Sequence, residues 1–191
     1  MEENFHDLLF SVKWLNLGGG HKITDDKYDL VKLIFQCKKL KAKYDVDVIM
    51  EPGSAFVVNT GVLVTRVEDI VLANGIKTLV LNTSFTSHMP DTLEMPYRPD
   101  ILGADKDGKG KFHYRIGGIT CLAGDYLKPY GFEKEVEIGD RIVFKDMMHY
   151  TTVKTNMFNG VRHPSLGAWS AEKGYRTLRE FSYKDFRNRL G

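Results

Sequence analysis

An apolar-rich run at residues 12–17 stops at three consecutive glycines, Gly18, Gly19 and Gly20. Thr24, Asp25 and Asp26 then place a capping hydroxyl and two acids where a helix would begin. Beyond them Tyr28, Val31, Leu33, Ile34, Cys37, Leu40 and Tyr44 fall at mixed three- and four-residue steps, the period of a helix face. A second apolar run, 46–50, stops at Glu51, Pro52 and Gly53. Strand, helix, strand at this spacing predicts a parallel βαβ unit. Ligands gather at the carboxyl ends of such strands, where both stops fall.

The pattern changes near residue 55. Residues 57–67, 78–81, 112–116 and 141–144 read as strands, parted by turns such as Asp105-Lys106-Asp107-Gly108 and Ile138-Gly139-Asp140. They predict an antiparallel β-domain of barrel or sandwich type. Pro90, Pro96 and Pro99 exclude a regular helix or central strand from the stretch after His88, so it reads as a long structured loop. Residues 183–190 predict a short helix. The division expected is 1–56 and 57–191. A parallel sheet needs cover on both faces. Two strands and one helix do not supply it, so residues 1–56 read as the end of a larger sheet, with Met1 internal to a longer protein.

Composition narrows the function. The 27 basic and 25 acidic residues leave a net charge of +2, with no basic stripe for nucleic acid. Hydrophobic residues at 42% and charged residues at 27% are ordinary for a globular domain, which excludes wholesale disorder. No apolar run approaches the length of a membrane span. Cys37 and Cys121 make neither a disulfide framework nor a metal motif, so no metal is expected and the reducing cytoplasm is the expected setting.

Several positions carry chemistry. Gly18, Gly19 and Gly20 can form a plain tight turn, or bring backbone N–H groups to a phosphate with help from the following helix N-terminus. Glu51 is either a solvated acid in a strand-ending turn or a partner for a cationic ring nitrogen. Cys121, between Gly118 and Gly124, is either a small buried residue or a thiol serving as proton donor or nucleophile. Tyr150 is either a hydrogen-bonded phenol in a half-buried strand or a donor to a phosphate or amine.

In order along the chain, five motifs resemble one family. They are Trp14-Leu15-Asn16-Leu17-Gly18-Gly19-Gly20-His21; Ser84-Phe85-Thr86-Ser87-His88-Met89-Pro90-Asp91; Leu93-Glu94-Met95-Pro96-Tyr97-Arg98-Pro99; Thr120-Cys121-Leu122-Ala123-Gly124-Asp125; and His149-Tyr150-Thr151. The sequence resembles the pyridoxal-phosphate decarboxylases of the alanine-racemase-like fold, which include ornithine and diaminopimelate decarboxylases. The resemblance runs from about residue 12 to the C-terminus. It is strongest to members that act on a carboxylated polyamine precursor.

The resemblance implies the C-terminal end of a (β/α)8 barrel binding pyridoxal 5'-phosphate, followed by the β-domain, in a head-to-tail homodimer with shared active sites. The family's Schiff-base lysine and ring-stacking histidine have no matching motif here, so the chain alone is expected to be inactive. Gly18, Gly19, Gly20 and Gly53 would hold the cofactor phosphate, Glu51 the pyridinium nitrogen, and Tyr150 would face the cofactor. Ser54 stands where related enzymes carry a phosphate-contacting arginine. Cys121 would be presented to the partner subunit's site, near the carbon reprotonated after carbon dioxide leaves, and Asp125 would attract the distal amine. Glu94 stands in the region where diaminopimelate decarboxylases hold a distal carboxylate with an arginine. An acid there would select an ammonium group instead. Asp91 would be a second acid, and Arg98 a partner for one acid or for the α-carboxylate. Competing expectations are a non-catalytic β-domain that binds a phosphorylated small molecule or regulates a full-length decarboxylase, and a diaminopimelate decarboxylase fragment.

Overall fold

The computed structural model describes residues 2–191, and the chain divides into two compact units, the first ending at Val58. In the first unit, helix α1 (Glu2–Leu9) bends at Phe5. The short strands β1 (Trp14–Asn16) and β2 (Asp47–Ile49) pair in parallel, with Leu15 opposite Val48. Between them runs α2 (Leu30–Tyr44). The expected βαβ unit is therefore present. Its small core joins Leu9, Leu40, Tyr44 and Val46. The Glu2 carboxylate pins α1 to α2 by accepting from Lys43 Nζ and from the Tyr44 hydroxyl, both at 2.8 Å.

The helix starts later than the acids after Thr24 suggest. Asp29 is its N-cap, accepting from the Lys32 amide at 2.8 Å, and residues 24–29 form turns. Thr24 instead donates its hydroxyl to the Ala55 carbonyl. Helix α1 carries no signal that the sequence reading picked out.

The second unit is built on a mixed sheet. Its strands are β3 (Val62–Ala73), β4 (Ile76–Leu81), β5 (Ala104–Asp105), β6 (Phe112–Gly117), β7 (Tyr126–Phe132) and β8 (Arg141–Lys145). Their spatial order is β5-β7-β6-β4-β3-β8. A bulge between Val67 and Asp69 lets the long β3 serve two neighbours, β8 along its first half and β4 along its second. Asn74 and Gly75, both at positive φ, close the β3–β4 hairpin. The core gathers Leu79, Leu81, Phe85, Ile116, Tyr130 and Phe144, all essentially inaccessible to solvent.

The sheet corrects the antiparallel expectation in one place. β4 and β6 run parallel, with Thr78 opposite Arg115. The crossover between them carries two single-turn helices, α3 (Phe85–His88) and α4 (Asp91–Glu94), where the prolines had suggested a loop. Pro90 is tolerated because it sits at the N-cap of α4, where no helical N–H is lost. The strand expected from residue 57 begins at Val62, because residues 53–56 make a 3-10 turn. β7 escapes a sequence reading because it contains Pro129. The pairing of β7 with β6 slips between Tyr114 and Ile116, at the level of that proline, which has no N–H to give.

After the sheet come α5 (Tyr150–Val153), a separate hairpin of β9 (Leu166–Ser170) and β10 (Gly174–Arg179), and α6 (Tyr183–Leu190). The residues around Tyr150, read as a possible half-buried strand, thus form a helical turn. α6 falls where expected, opened by a reciprocal Ser182–Asp185 capping box.

Candidate functional site

Each unit carries a cluster of its own. In the first, Asn16 ends β1 and organises the loop beyond it. Its side-chain oxygen accepts from the Gly18 amide at 2.8 Å, and its amide nitrogen donates to Glu51 Oε1 at 2.6 Å. The Glu51 amide in turn donates to the Gly18 carbonyl at 2.9 Å, so the two strand ends are laced together. Gly53 closes the turn by donating to the Glu51 carbonyl at 2.8 Å. Gly18 and Gly20 take positive φ, +72° and +81°, with open space where a side chain would begin. A Cβ on Gly19 would lie 3.0 Å from the Glu51 carbonyl oxygen. Among the described residues no acceptor takes the Gly19 or Gly20 N–H.

This is a stretch of free backbone donors next to an exposed, oriented carboxylate. The donor set fits a phosphate on the glycines and a protonated ring nitrogen on Glu51. One expectation fails: α2 begins at Leu30, so no helix N-terminus lends its field to the glycine turn. The sequence reading missed Asn16, which aims the Glu51 carboxylate. Only the pairing of β1 with β2 shows that the two residues meet.

The second unit is organised by Asp125. It was expected to attract a substrate amine, but it is 3% exposed and its carboxylate is taken. Oδ1 accepts from the Phe85 and Thr86 amides at 2.7 and 3.2 Å, and Oδ2 from the Thr120 amide and hydroxyl at 3.1 and 2.6 Å. Those donors leave no face for a ligand. Asp125 instead joins the first turn of α3 to the loop bearing Cys121. Gly118 makes room for it, since a Cβ there would lie 2.3 Å from Asp125 Oδ2.

Cys121 stands exposed on that loop, its amide donating to Asn159 Oδ1 at 3.1 Å. Asn159 holds φ +58° in the turn before Gly160. Asn156 reaches the other way, donating its amide to Ser87 O and its side chain to Thr86 O, each at 2.9 Å. Buried His88 completes the link. Its Nδ1 faces the Ser84 amide at 3.3 Å and the Thr83 hydroxyl at 2.7 Å, and its Nε2 lies 3.0 Å from the Arg162 carbonyl. This places the ring hydrogen on Nε2. Burial pushes the His88 pKa down to about 4.

Asp91 and Glu94, one turn apart on α4, converge on Lys154. Its Nζ donates to Asp91 Oδ1 at 2.7 Å and to Glu94 Oε2. The hydrogen bonds to Asp91 and Glu94 hold the ammonium's pKa above the usual lysine range. Lys154 also lies 5.7 Å from the ring centroid of Tyr150, which is 55% exposed. Arg98 does not join them. Its guanidinium donates to the carbonyls of Lys106, Lys128 and Pro129 and stacks 4.4 Å from the Tyr130 ring centroid. It braces the sheet and is not offered to a carboxylate.

Residues 17–148 match the pyridoxal-dependent decarboxylase C-terminal sheet domain. The chain belongs to that family. It is 45% identical over 192 residues to a carboxyaminopropylagmatine decarboxylase of Synechocystis sp., covering 100% of this chain and 50% of the relative. It is 44% identical over 196 residues to a carboxynorspermidine/carboxyspermidine decarboxylase of Campylobacter jejuni, covering 97% and 51%. The crystal structure of carboxynorspermidine decarboxylase complexed with norspermidine from Campylobacter jejuni superposes with a TM-score of 0.84 at 43% identity, over 98% of this chain and 54% of that one. The diaminopimelate decarboxylase of M. jannaschii in complex with L-lysine, at 23% identity and a TM-score of 0.73, shares the fold. The chain spans about half the length of the curated relatives it matches.

Two outcomes follow from the Asp125–His88 network. Gly118→Ala must push the Asp125 carboxylate off its donors and is expected to cost several kcal/mol, on the order of 3, read by urea unfolding. His88 is neutral when folded, with a pKa near 4 against the ordinary 6.5. Between those values the unfolded chain binds a proton that the folded chain refuses, so stability falls as pH drops from about 6.5 to about 4. His88→Gln is expected to flatten that stretch of the thermal-midpoint profile.

Proposed function

We propose that this chain supplies the C-terminal half of the machinery of a decarboxylase that uses pyridoxal 5'-phosphate to convert carboxynorspermidine or carboxyspermidine to the corresponding polyamine and carbon dioxide. The observation that carries the reading is the Glu51 carboxylate, held by Asn16 beside the unpaired Gly19 and Gly20 amides. The relative at 44% identity is named for carboxynorspermidine and carboxyspermidine, which supports the choice of substrate, and the one at 45% is named for carboxyaminopropylagmatine. We assign residues 1–56 to the last strands of a (β/α)8 barrel and 57–191 to the β-domain. The Schiff-base lysine would come from the half of the relatives that this chain does not span. A homodimer in the reducing cytoplasm completes the reading, with Cys37 and Cys121 both free.

When bound, pyridoxal phosphate supplies a protonated ring that accepts the electron pair left by the departing carboxylate. The residues of this chain hold and steer. The Gly19 and Gly20 amides, with Gly18 and Gly53 shaping the turn, fix the phosphate. The Glu51 carboxylate keeps a proton on the ring nitrogen. Tyr150 would face the cofactor from the β-domain. The Cys121 Sγ, presented to the partner subunit's site, would return a proton to the carbon that lost carbon dioxide. The carboxylates of Asp91 and Glu94 draw the distal ammonium of the substrate, a choice of charge that disfavours a distal carboxylate such as that of diaminopimelate. Asp125 acts at one remove, by holding the Cys121 loop.

The test is carbon dioxide release from carboxynorspermidine with added pyridoxal phosphate, by this chain alone and by this chain fused behind the N-terminal half of the Campylobacter jejuni enzyme. Turnover only in the fusion is the expected result, and silence in both would overturn the reading. In the fusion, Glu94→Gln is expected to raise KM about tenfold with kcat little changed, the worth of one charge-assisted hydrogen bond. An unmoved KM removes Glu94 from the site.

A further inference from the structure

We infer that Lys154 is a positioning residue, an internal cation that fixes the α5 turn and Tyr150 against the Asp91–Glu94 pair. The inference rests on the reading above for the part those acids and Tyr150 play with the substrate.

Nothing in α5 itself anchors it. The turn buries no residue, and the His149 side chain does not cap it. The Thr151 hydroxyl bonds back to the Met147 carbonyl, and His149 Nε2 lies 3.1 Å from Asp146 Oδ1, so both contacts stay within the adjoining chain. The long-range tie comes from Lys154, the C-cap residue, reaching Asp91 and Glu94 some 60 residues away in sequence. Anchorage resumes at Asn156 on Ser87 and Thr86. Among the described residues, Lys154 makes the long-range polar tie from the turn bearing Tyr150; Thr151 and Thr152 are half-buried, and their hydroxyls contact only Met147 and Met148 nearby in the chain.

The same ammonium acts on the acids. Two carboxylates three residues apart on a helical turn face one another and repel. Lys154 offsets one of the two negative charges and takes one oxygen from each. Asp91 Oδ2 and Glu94 Oε1 have no donor among the described residues. A substrate ammonium therefore meets two oxygens without a donor, on a pair of acids that with Lys154 carries a net single negative charge. Glu94 is well exposed, so its ion pair adds little stability; Asp91 is only 13% exposed, and its pair is the firmer half of the clamp.

Two measurements on the 191-residue chain test the clamp. In competitive acetylation mapped by mass spectrometry, Lys154 is expected to react about three- to fivefold more slowly than Lys173, whose ammonium has no partner among the described residues. The difference should vanish in the Asp91→Asn/Glu94→Gln double variant. Equal rates in the wild type would falsify the clamp. Amide exchange over residues 150–154 is expected to rise about fivefold in Lys154→Met and to stay near wild type in Lys154→Arg. Exchange unchanged in Lys154→Met overturns the proposal as well. In the active fusion, Lys154→Met is expected to raise KM more than it lowers kcat, with Lys154→Arg restoring most of the loss. If Glu94→Gln and Lys154→Met both leave KM unmoved while labelling and exchange behave as expected, the substrate reading fails and the clamp stands.

Discussion

A buried carboxylate with no countercharge is expensive unless donors surround it, and the sheet unit depends on meeting that condition at Asp125. The Phe85 and Thr86 amides, which the short α3 cannot satisfy within itself, turn to Oδ1. Thr120 fills Oδ2 with its amide and hydroxyl. One group thereby stops a helix from fraying, fixes the loop that exposes Cys121, and forbids any side chain at Gly118. His88 extends the lattice to Arg162, and Asn156 and Asn159 extend it to the turn at Phe158. The segments that present exposed chemistry are thus tied down from the buried side.

The first unit uses a smaller version of the same device. Asn16 satisfies the Gly18 amide and the Glu51 carboxylate with the two ends of one side-chain amide. It can do so because parallel pairing places the ends of β1 and β2 side by side. Beyond it Gly18 and Gly20 turn at positive φ, and among the described residues the amides of Gly19 and Gly20 remain free. A polar side chain at a strand end, spent on orientation, leaves Glu51 and the two amides available for a ligand.

Much of this was legible in the order of residues. The βαβ unit, four strands of the main sheet and α6 follow from periodicity and breakers, because those signals are local. The glycine turn, Glu51, Cys121 and Tyr150 stand out as types that do chemistry at strand ends and in loops. What misled was also physical. Asp125 next to a thiol reads as a ligand contact, since an acid in a glycine-rich loop is normally solvated. Arg98 among prolines reads as free, yet carbonyls from two distant stretches take its donors. β7 was hidden because a proline inside a strand argues against one, unless a bulge receives it.

The sequence by itself determined the family, the parallel start, the β-rich remainder and the residue types offered to an anion, a cationic nitrogen and an ammonium. Each rests on spacing within a few residues or on motifs kept in order. Tertiary structure alone decided which acids remain free: Asp125 spent on four donors, Glu51 aimed by Asn16, and Asp91 and Glu94 sharing Lys154. Apart from the two donors of Thr120, five residues from Asp125, these outcomes depend on pairs separated by 35 to 63 residues. Hydrogen bonds and charge pairs act over a few ångströms, and no local pattern records which distant side chain arrives within that range.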